Sequence, residues 1–149
     1  MRLALHQPDQ PGNVGTILRL GACLATPVDV IEPCGFPFSH AALKRAGMDY
    51  VEIANVRRHA SWEAFRAGVG GRIVLLTTKA DLRIDEAQFA AGDILLMGSE
   101  SSGVSDAVHA AADLRVRIPQ AAGTRSLNIA LAAGIALAEA LRQLNGFPR

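Results

Sequence analysis

Two short runs of consecutive apolar residues place the strongest constraint on how this chain can fold. Residues 72–78 read RIVLLTT and residues 93–97 read DILLM. A strand with one face in water alternates polar and apolar side chains, whereas a continuous apolar run has to be buried on both faces. Runs of this kind are typical of parallel strands with helices packed on each side of the sheet.

Other strand-like runs alternate with helical patterns along the rest of the chain. These runs lie at Arg2–His6, 28–32, 50–53 and 114–118, and the helical patterns cover 13–24, 39–46, 61–69, 105–112 and 126–144. Strands separated by helices indicate βαβ units. We therefore predict a single α/β domain, residues 1–149, with a mostly parallel sheet and helices on both faces.

Short polar side chains mark the starts of several predicted helices. Asn13, Ser39 and Ser61 are suitable N-caps, because their side-chain oxygens can accept a hydrogen bond from a backbone N–H of the first turn. Ser126 and Asn128 are alternative caps for the last helix. The sequence alone does not choose between them.

The charge balance excludes nucleic-acid binding through bulk charge. Fifteen lysines and arginines face fourteen acidic residues, which leaves a net charge of +1. All the basic residues except Lys44 and Lys79 are arginines, whose planar fork suits phosphate contacts, although a biased genome composition is an alternative cause. We expect the basic cluster at 57–59 either on a solvated surface turn or against a phosphate.

Composition and cysteine usage predict an ordered, cytoplasmic protein. Half of the residues are apolar and 19% are charged, which is typical of a chain with a substantial core. Cys23 and Cys34 fit neither a metal-ligand spacing nor a disulfide framework, which favours a reducing compartment. The N-terminal apolar stretch is too short for a signal peptide, and we expect no membrane span. The four histidines form no HExxH pattern, so no metal is expected.

The predicted last helix is apolar almost all the way round. Leu127, Leu131 and Ile135 share one face, while Ile129 and Leu137 lie on others. Such a helix is normally buried on more than one side. The first predicted helix is also thinly polar, since it contains Gly15, Gly21 and Ala22. We therefore predict a homodimer that uses these two helices, with deep burial inside one chain as the alternative.

Three polar loops follow predicted strands, where ligands bind in open parallel sheets. The first contains Asn13 and Arg19, the second reads MGSESSG over 97–103, and the third reads IPQAAGTRSLN over 118–128. The second loop matches neither GxxxxGK[ST] nor GxGxxG. Each loop alone is compatible with a simple turn or a capped helix, but the three together predict a binding site.

These loops carry a resemblance to a known family. The ordered set N-x(5)-R, GSESSG and IPxxxxxRSLN resembles the three motifs of the SpoU-type SPOUT methyltransferases. The segments HQPDQPGNVGTILRL, VIEPCGF, LKRAGMDY and LLTTK resemble the small bacterial tRNA (cytidine/uridine wobble) 2′-O-methyltransferases. The match covers almost the whole chain, in order and with similar spacing.

The resemblance implies a function, a cofactor and a set of site residues. It implies 2′-O-methylation of the wobble nucleotide of selected tRNAs with S-adenosyl-L-methionine, by a homodimer with a trefoil knot in the C-terminal half of each chain. The implied cofactor residues are Leu76, Gly98, Glu100, Ile118, Ser126 and Leu127. The implied catalytic residues are Asn13, Arg19, Ser126 and Asn128, and Arg19 and Arg125 are implied to bind the RNA.

Two points within the resemblance stay open. In this family the first-motif arginine is commonly described as a general base, but a guanidinium stays charged in proteins, so we prefer an electrostatic role for Arg19 as a hypothesis. Ser101 and Ser102 stand where relatives have Thr-Arg, which bears on RNA binding. The alternatives are another tRNA position, ribosomal RNA, or a non-catalytic RNA- or nucleotide-binding module.

Overall fold

Six strands form one sheet in which every neighbouring pair is parallel. The computed structural model describes residues 1–49, 52–53 and 55–149. The elements within this part of the chain are β1 (Arg2–His6), α1 (Pro11–Cys23), β2 (Val28–Ile31), α2 (His40–Arg45), β3 (Val56–His59), α3 (Trp62–Gly68), β4 (Ile73–Leu76), β5 (Ile94–Met97), α4 (Asp106–Ala111), β6 (Leu114–Val116) and α5 (Ile129–Leu144).

The strand order sets where a ligand can enter. The order is β3-β2-β1-β5-β4-β6, so β5 lies between β1 and β4. Leu3 of β1, for example, pairs with Val28 of β2 on one side and with Leu95 of β5 on the other. Because all strands run the same way, their carboxyl ends meet at one edge of the sheet. The prediction of a mostly parallel sheet is confirmed.

The two predicted apolar runs are buried on both faces. In β5, Leu95 and Met97 pack into a core formed with α1, α2 and α5, while Ile94 and Leu96 pack into a second core formed with α3 and α4. Helices therefore cover both faces of the sheet, as predicted. The knot implied by the resemblance stays a prediction, because strand order and pairing do not specify how the chain threads.

Two of the predicted helix starts are confirmed and one is wrong. Ser39 and Ser61 cap α2 and α3 by accepting hydrogen bonds from backbone N–H groups. Asn13 does not cap α1, because that helix begins at Pro11, a residue that suits the first turn since it has no N–H to satisfy. Of the two alternative caps for the last helix, the structure has Asn128, so the helix begins at Ile129 and not at Ser126.

The prediction of a strand at 50–53 is corrected as far as the structure describes it. Tyr50 and Val51 lie outside the described residues, while Glu52 and Ile53 are helical. The third strand is β3, and it contains the basic cluster 57–59. The cluster therefore lies in a strand and not on the predicted surface turn. This edge strand pairs only with β2, so exposed arginines replace the apolar side chains of a central strand.

The described helices do not provide a membrane span. Within residues 1–49, 52–53 and 55–149, none of them is both long and apolar enough to cross a bilayer.

Candidate active site

A cavity of about 450 Å³ opens at the carboxyl ends of β4, β5 and β6. Leu76, Met97 and Val116, the last residues of those three strands, form part of its wall. The cavity is also lined by most of the site residues that the family resemblance implies. These are Asn13, Leu76, Gly98, Glu100, Ile118, Ser126, Leu127 and Asn128.

The lining divides into an apolar part and a polar part. Leu76, Ile118 and Leu127 supply apolar surface, while Thr77 and Gln120 supply groups that can form hydrogen bonds. The sequence reading missed Thr77 because it ends an apolar run, and it missed Gln120 because the loop carries no recognised signal there. A cavity with both kinds of lining fits a ligand that joins a flat apolar ring to polar groups.

The loop after β5 is a closed turn. The N–H of Ser99 donates to the carbonyl of Gly103 at 2.9 Å, and the N–H of Gly103 donates back to the carbonyl of Ser99 at 2.8 Å. A Cβ at Gly98 would lie 2.6 Å from the carbonyl carbon of Gly103, and Gly103 has a φ of +66°. Both glycines are therefore needed for the backbone to fold back on itself.

A hydrogen-bonded network joins the three predicted loops beside this cavity. Asn128 Nδ2 donates to Asn13 Oδ1 at 2.9 Å, and Asn13 Nδ2 donates to Glu100 Oε1 at 3.3 Å. Glu100 Oε2 accepts the backbone N–H of Asp9 at 3.0 Å. Asn128 also caps α5, because its Oδ1 accepts the N–H of Ala130. Asn13 thus bonds to the other two loops instead of capping its own helix.

Two predicted residues do not line this cavity. Arg19 lines a separate cavity of about 570 Å³ together with Phe36, Phe38 and Met48. Arg125 lies exposed in the loop between β6 and α5. Within one chain, therefore, Arg19 lies on a different cavity from the residues predicted to bind the cofactor, whereas Arg125 directly precedes Ser126, which lines the first cavity.

Arg19 is held by Glu52, a residue that the sequence reading missed. Nε of Arg19 donates to Oε1 of Glu52 at 2.5 Å, while the arginine side chain stays 64% exposed. Glu52 itself is buried, and its second oxygen accepts the N–H of Asp49 at 2.8 Å. Because the hydrogen bond to Glu52 uses Nε, the terminal nitrogens of the guanidinium keep N–H groups that can donate to another acceptor.

The ion pair also fixes the charge of both groups. The hydrogen bond and the charge of Glu52 raise the pKa of Arg19 above its ordinary value. The hydrogen bond from Arg19, helped by the N–H of Asp49, lowers the pKa of the Glu52 carboxyl. The guanidinium of Arg19 therefore holds its proton even more firmly than that of a free arginine, so it has no lone pair to accept another proton and presents a fixed positive charge.

The part of the chain that the structure describes contains no set of side chains suited to bind a metal ion. No group of three or more His, Cys, Asp or Glu side chains comes together there in a way that could hold an ion.

The fold and the cavity together define a class of protein. An all-parallel sheet with a half-apolar cavity at its carboxyl edge is the architecture of α/β proteins that bind nucleotide-like cofactors. The sequence matches the SpoU rRNA Methylase family over residues 1–138, and the chain belongs to that family.

Individual relatives are similar over nearly the whole chain. The tRNA (cytidine(34)-2′-O)-methyltransferase of Beijerinckia indica subsp. indica is 52% identical over 150 residues, which covers 99% of this chain and 94% of the relative. A solved structure from work on the 2-OH methylation of C/U34 on tRNA is 40% identical, with a TM-score of 0.88 and coverage of 97% of this chain and 96% of that one.

A third relative has been solved with a cofactor. The SpoU methyltransferase AviRb from Streptomyces viridochromogenes, in complex with AdoMet, is 27% identical with a TM-score of 0.80. The match covers 99% of this chain and 59% of that one.

The Arg19–Glu52 contact predicts a specific response to substitution and to acid. In Glu52→Gln, we expect the Arg19 Nε–H signal in an NMR spectrum to move towards the position of a free arginine, because the charged acceptor is lost. In the wild type, the same movement occurs only as the pH falls through the lowered pKa of Glu52, and therefore below the ordinary value of about 4.3.

Glu86→Gln is the matched control, since that exposed carboxylate lies 3.9 Å from a different arginine, Arg83. It should leave the Arg19 signal unchanged. A wild-type Arg19 signal that already resembles a free arginine at neutral pH would contradict the observed contact.

Proposed function

We propose that the chain transfers a methyl group from S-adenosyl-L-methionine to the 2′-hydroxyl of nucleotide 34 of selected tRNAs. The observation that carries this proposal is the convergence of the three motif loops on one cavity, in a chain that is 52% identical to a tRNA (cytidine(34)-2′-O)-methyltransferase. The solved structure from work on C/U34 methylation supports both cytidine and uridine as targets. A single domain and a cytoplasmic location are parts of the same proposal.

The first cavity suits S-adenosyl-L-methionine. Leu76, Ile118 and Leu127 would hold the adenine ring, and the polar groups of Thr77 and Ser126 would hold the ribose and amino-acid parts. When bound, this cofactor supplies an electrophilic methyl group on a positively charged sulfur. Gly98 and Glu100 would contribute the backbone and carboxylate at the mouth of the cavity.

The residues at the edge of the cavity align the nucleophile. A ribose hydroxyl that attacks a methyl group in line must be positioned closely. As its oxygen formed the bond to the methyl carbon, the carbon–sulfur bond would break with its electron pair left on the sulfur, and the hydroxyl proton would pass to solvent water. Asn13, Asn128 and Glu100 form one hydrogen-bonded unit whose geometry is fixed by the start of α5. This unit, with Ser126 next to it, would orient the hydroxyl relative to the methyl group.

Arg19 would stabilise the negative charge that develops on the ribose oxygen. Its pKa is raised by Glu52, so proton abstraction by Arg19 is disfavoured. A fixed positive charge can instead steady an alkoxide and an adjacent phosphate. Arg125, exposed in the loop before α5, would add a second phosphate contact.

Arg19 does not line the first cavity of its own chain, but in a homodimer it could reach the first cavity of the partner chain. Leu131 and Ile135 lie one turn apart on α5 and are 61% and 42% exposed. Large apolar side chains exposed on one face indicate an interface. Pairing of these faces would let Arg19 of one chain face the cofactor cavity of the other, so two chains would complete each site.

Ribosomal RNA is a second candidate substrate. The family that contains this chain is described as an rRNA methylase family. In addition, the chain has Ser101 and Ser102 where the wobble enzymes that it resembles have Thr-Arg. The choice between substrates is open to a direct assay.

Purified protein should methylate a tRNA at position 34 and nowhere else. We expect mass spectrometry of digested tRNA to detect 2′-O-methylcytidine or a 2′-O-methylated uridine after incubation with S-adenosyl-L-methionine. A tRNA with 2′-deoxycytidine at position 34 is the matched control and should gain no methyl group. Methylation of ribosomal RNA instead would support the second candidate, and no methylation of any RNA would support a non-catalytic binding module.

Arg19→Lys tests the electrostatic role. The substitution keeps the charge but loses the planar fork that can bond Glu52 and a second acceptor at once, so we expect kcat to fall about 100-fold. The shape of the rate-against-pH curve should stay the same between about pH 6 and pH 9, because neither side chain titrates there. Arg57→Lys on the exposed edge strand is the control. A normal rate for Arg19→Lys, or a shifted pH curve, would contradict this role.

Leu131→Glu should separate the proposed dimer. A carboxylate on the exposed face of α5 would be buried unpaired at the interface, so sedimentation should report a monomer with little activity. Ala110→Glu on α4, on the opposite face of the sheet, should leave both mass and activity unchanged. A wild-type protein that sediments as a monomer at assay concentrations would rule out the dimer.

A further inference from the structure

A cavity of about 430 Å³ at the carboxyl edge of the sheet has no part in the reaction proposed above. We name it the His6 cavity, defined by His6, Glu32, Trp62, Glu63, Ser102 and Ser105. It shares Gly103 and Val104 with the first cavity. The loop after β5 therefore borders both cavities, so the two cavities are neighbours on the carboxyl edge of the sheet.

His6 brings an unsatisfied polar group to this cavity. The side chain ends β1 and the residue is only 5% exposed, and its Nδ1 is buried without a hydrogen-bond partner among the described residues. Burial lowers the pKa of His6, with the charge of Glu63 opposing the shift, so the ring is neutral at neutral pH. Buried polar atoms are normally paired, which indicates that a ligand completes the site.

Trp62 offers an aromatic surface beside His6. Its ring lies edge-on to His6, with centroids 5.9 Å apart and planes at 73°. The guanidinium carbon of Arg66 lies 5.9 Å from the Trp62 ring centroid. An aromatic side chain with an adjacent cation is a common way to stack an unpaired base.

The carboxylates select the kind of ligand. Glu32 and Glu63 line the cavity and can only accept hydrogen bonds when ionised, so they disfavour a phosphate and favour an amino group. Arg58 donates to Glu32 at 2.7 Å, which offsets one of the two negative charges. Adenine, cytosine and guanine carry an exocyclic amino group, whereas uracil does not.

We propose that the His6 cavity binds one unpaired, amino-bearing nucleobase of the substrate RNA, next to the nucleotide that is methylated. Trp62 stacks on the base, Glu63 accepts its amino group, and His6 bonds to its ring edge. This assignment rests on the proposed RNA substrate, but it concerns binding and not methyl transfer. It would make the cavity a determinant of which RNAs are chosen.

The chain reports on this cavity directly, because Trp62 is its only tryptophan. We expect an anticodon stem-loop RNA to quench the Trp62 fluorescence. Replacing one loop base at a time by an abasic nucleotide should remove most of the quenching at position 33 or position 35, the neighbours of nucleotide 34, and loss at a more distant position alone would contradict the proposal. Equal quenching by all of these RNAs, or none, would overturn the proposal. Saturation by free AMP or CMP at the same concentrations would assign the cavity to a free nucleotide and overturn the role in RNA selection.

Glu63→Gln supplies the matched test of base selection. It keeps the shape of the side chain and removes the charge, so the Kd for the stem-loop should rise about tenfold. Glu86→Gln, which changes an exposed carboxylate outside the cavity, should leave Kd unchanged. Cofactor affinity and the unfolding midpoint should be the same in both variants. Equal Kd values for Glu63→Gln and wild type would contradict the role of the carboxylate.

The same measurements separate this proposal from the proposed function. Base-dependent quenching without methylation at position 34 would overturn the proposed function and leave the base site standing. Methylation at position 34 with no base-dependent quenching would do the opposite.

Discussion

The parallel alignment of six buried strands is the constraint on which the candidate site depends. Because both faces of β4 and β5 are covered by helices, no ligand can approach the sheet from above or below. The carboxyl edge is then the place where loops from several strands meet, and it contains both the first cavity and the His6 cavity. The closed turn at Gly98 and Gly103 lies between the two cavities, because its residues line both of them.

Hydrogen bonds between residues far apart in the sequence hold the candidate catalytic side chains in place at this edge. Asn13 in the first turn of α1, Glu100 in the loop after β5 and Asn128 before α5 are joined by consecutive hydrogen bonds, and the role of Asn128 as the cap of α5 fixes one end of this series of bonds. Arg19 is fixed in a comparable way by Glu52, on a different cavity. The chain thus orients its candidate groups before any ligand is bound, which is how a protein limits the reorganisation needed for a transfer reaction.

Much of the fold could be predicted from local patterns. The runs at 72–78 and 93–97 correctly predicted strands buried on both faces, and Ser39 and Ser61 correctly predicted helix starts. The errors fall where tertiary contacts outweigh local preference. Asn13 looks like a cap but bonds across loops, and the basic strand Val56–His59 is a strand because β2 supplies its hydrogen bonds and not because of its own side chains.

The sequence by itself determined the class of fold, the family and the three loops that carry the candidate chemistry, because apolar runs and short motifs are local features of the chain. Only the tertiary structure decided which side chains meet. Glu52 is 33 positions from Arg19, and the elements α1, β2, α2 and β3 lie between His6 and Trp62 in the sequence, so no spacing rule connects either pair. These residues are close because of the spatial order of the parallel strands, and that order is a property of the whole sheet.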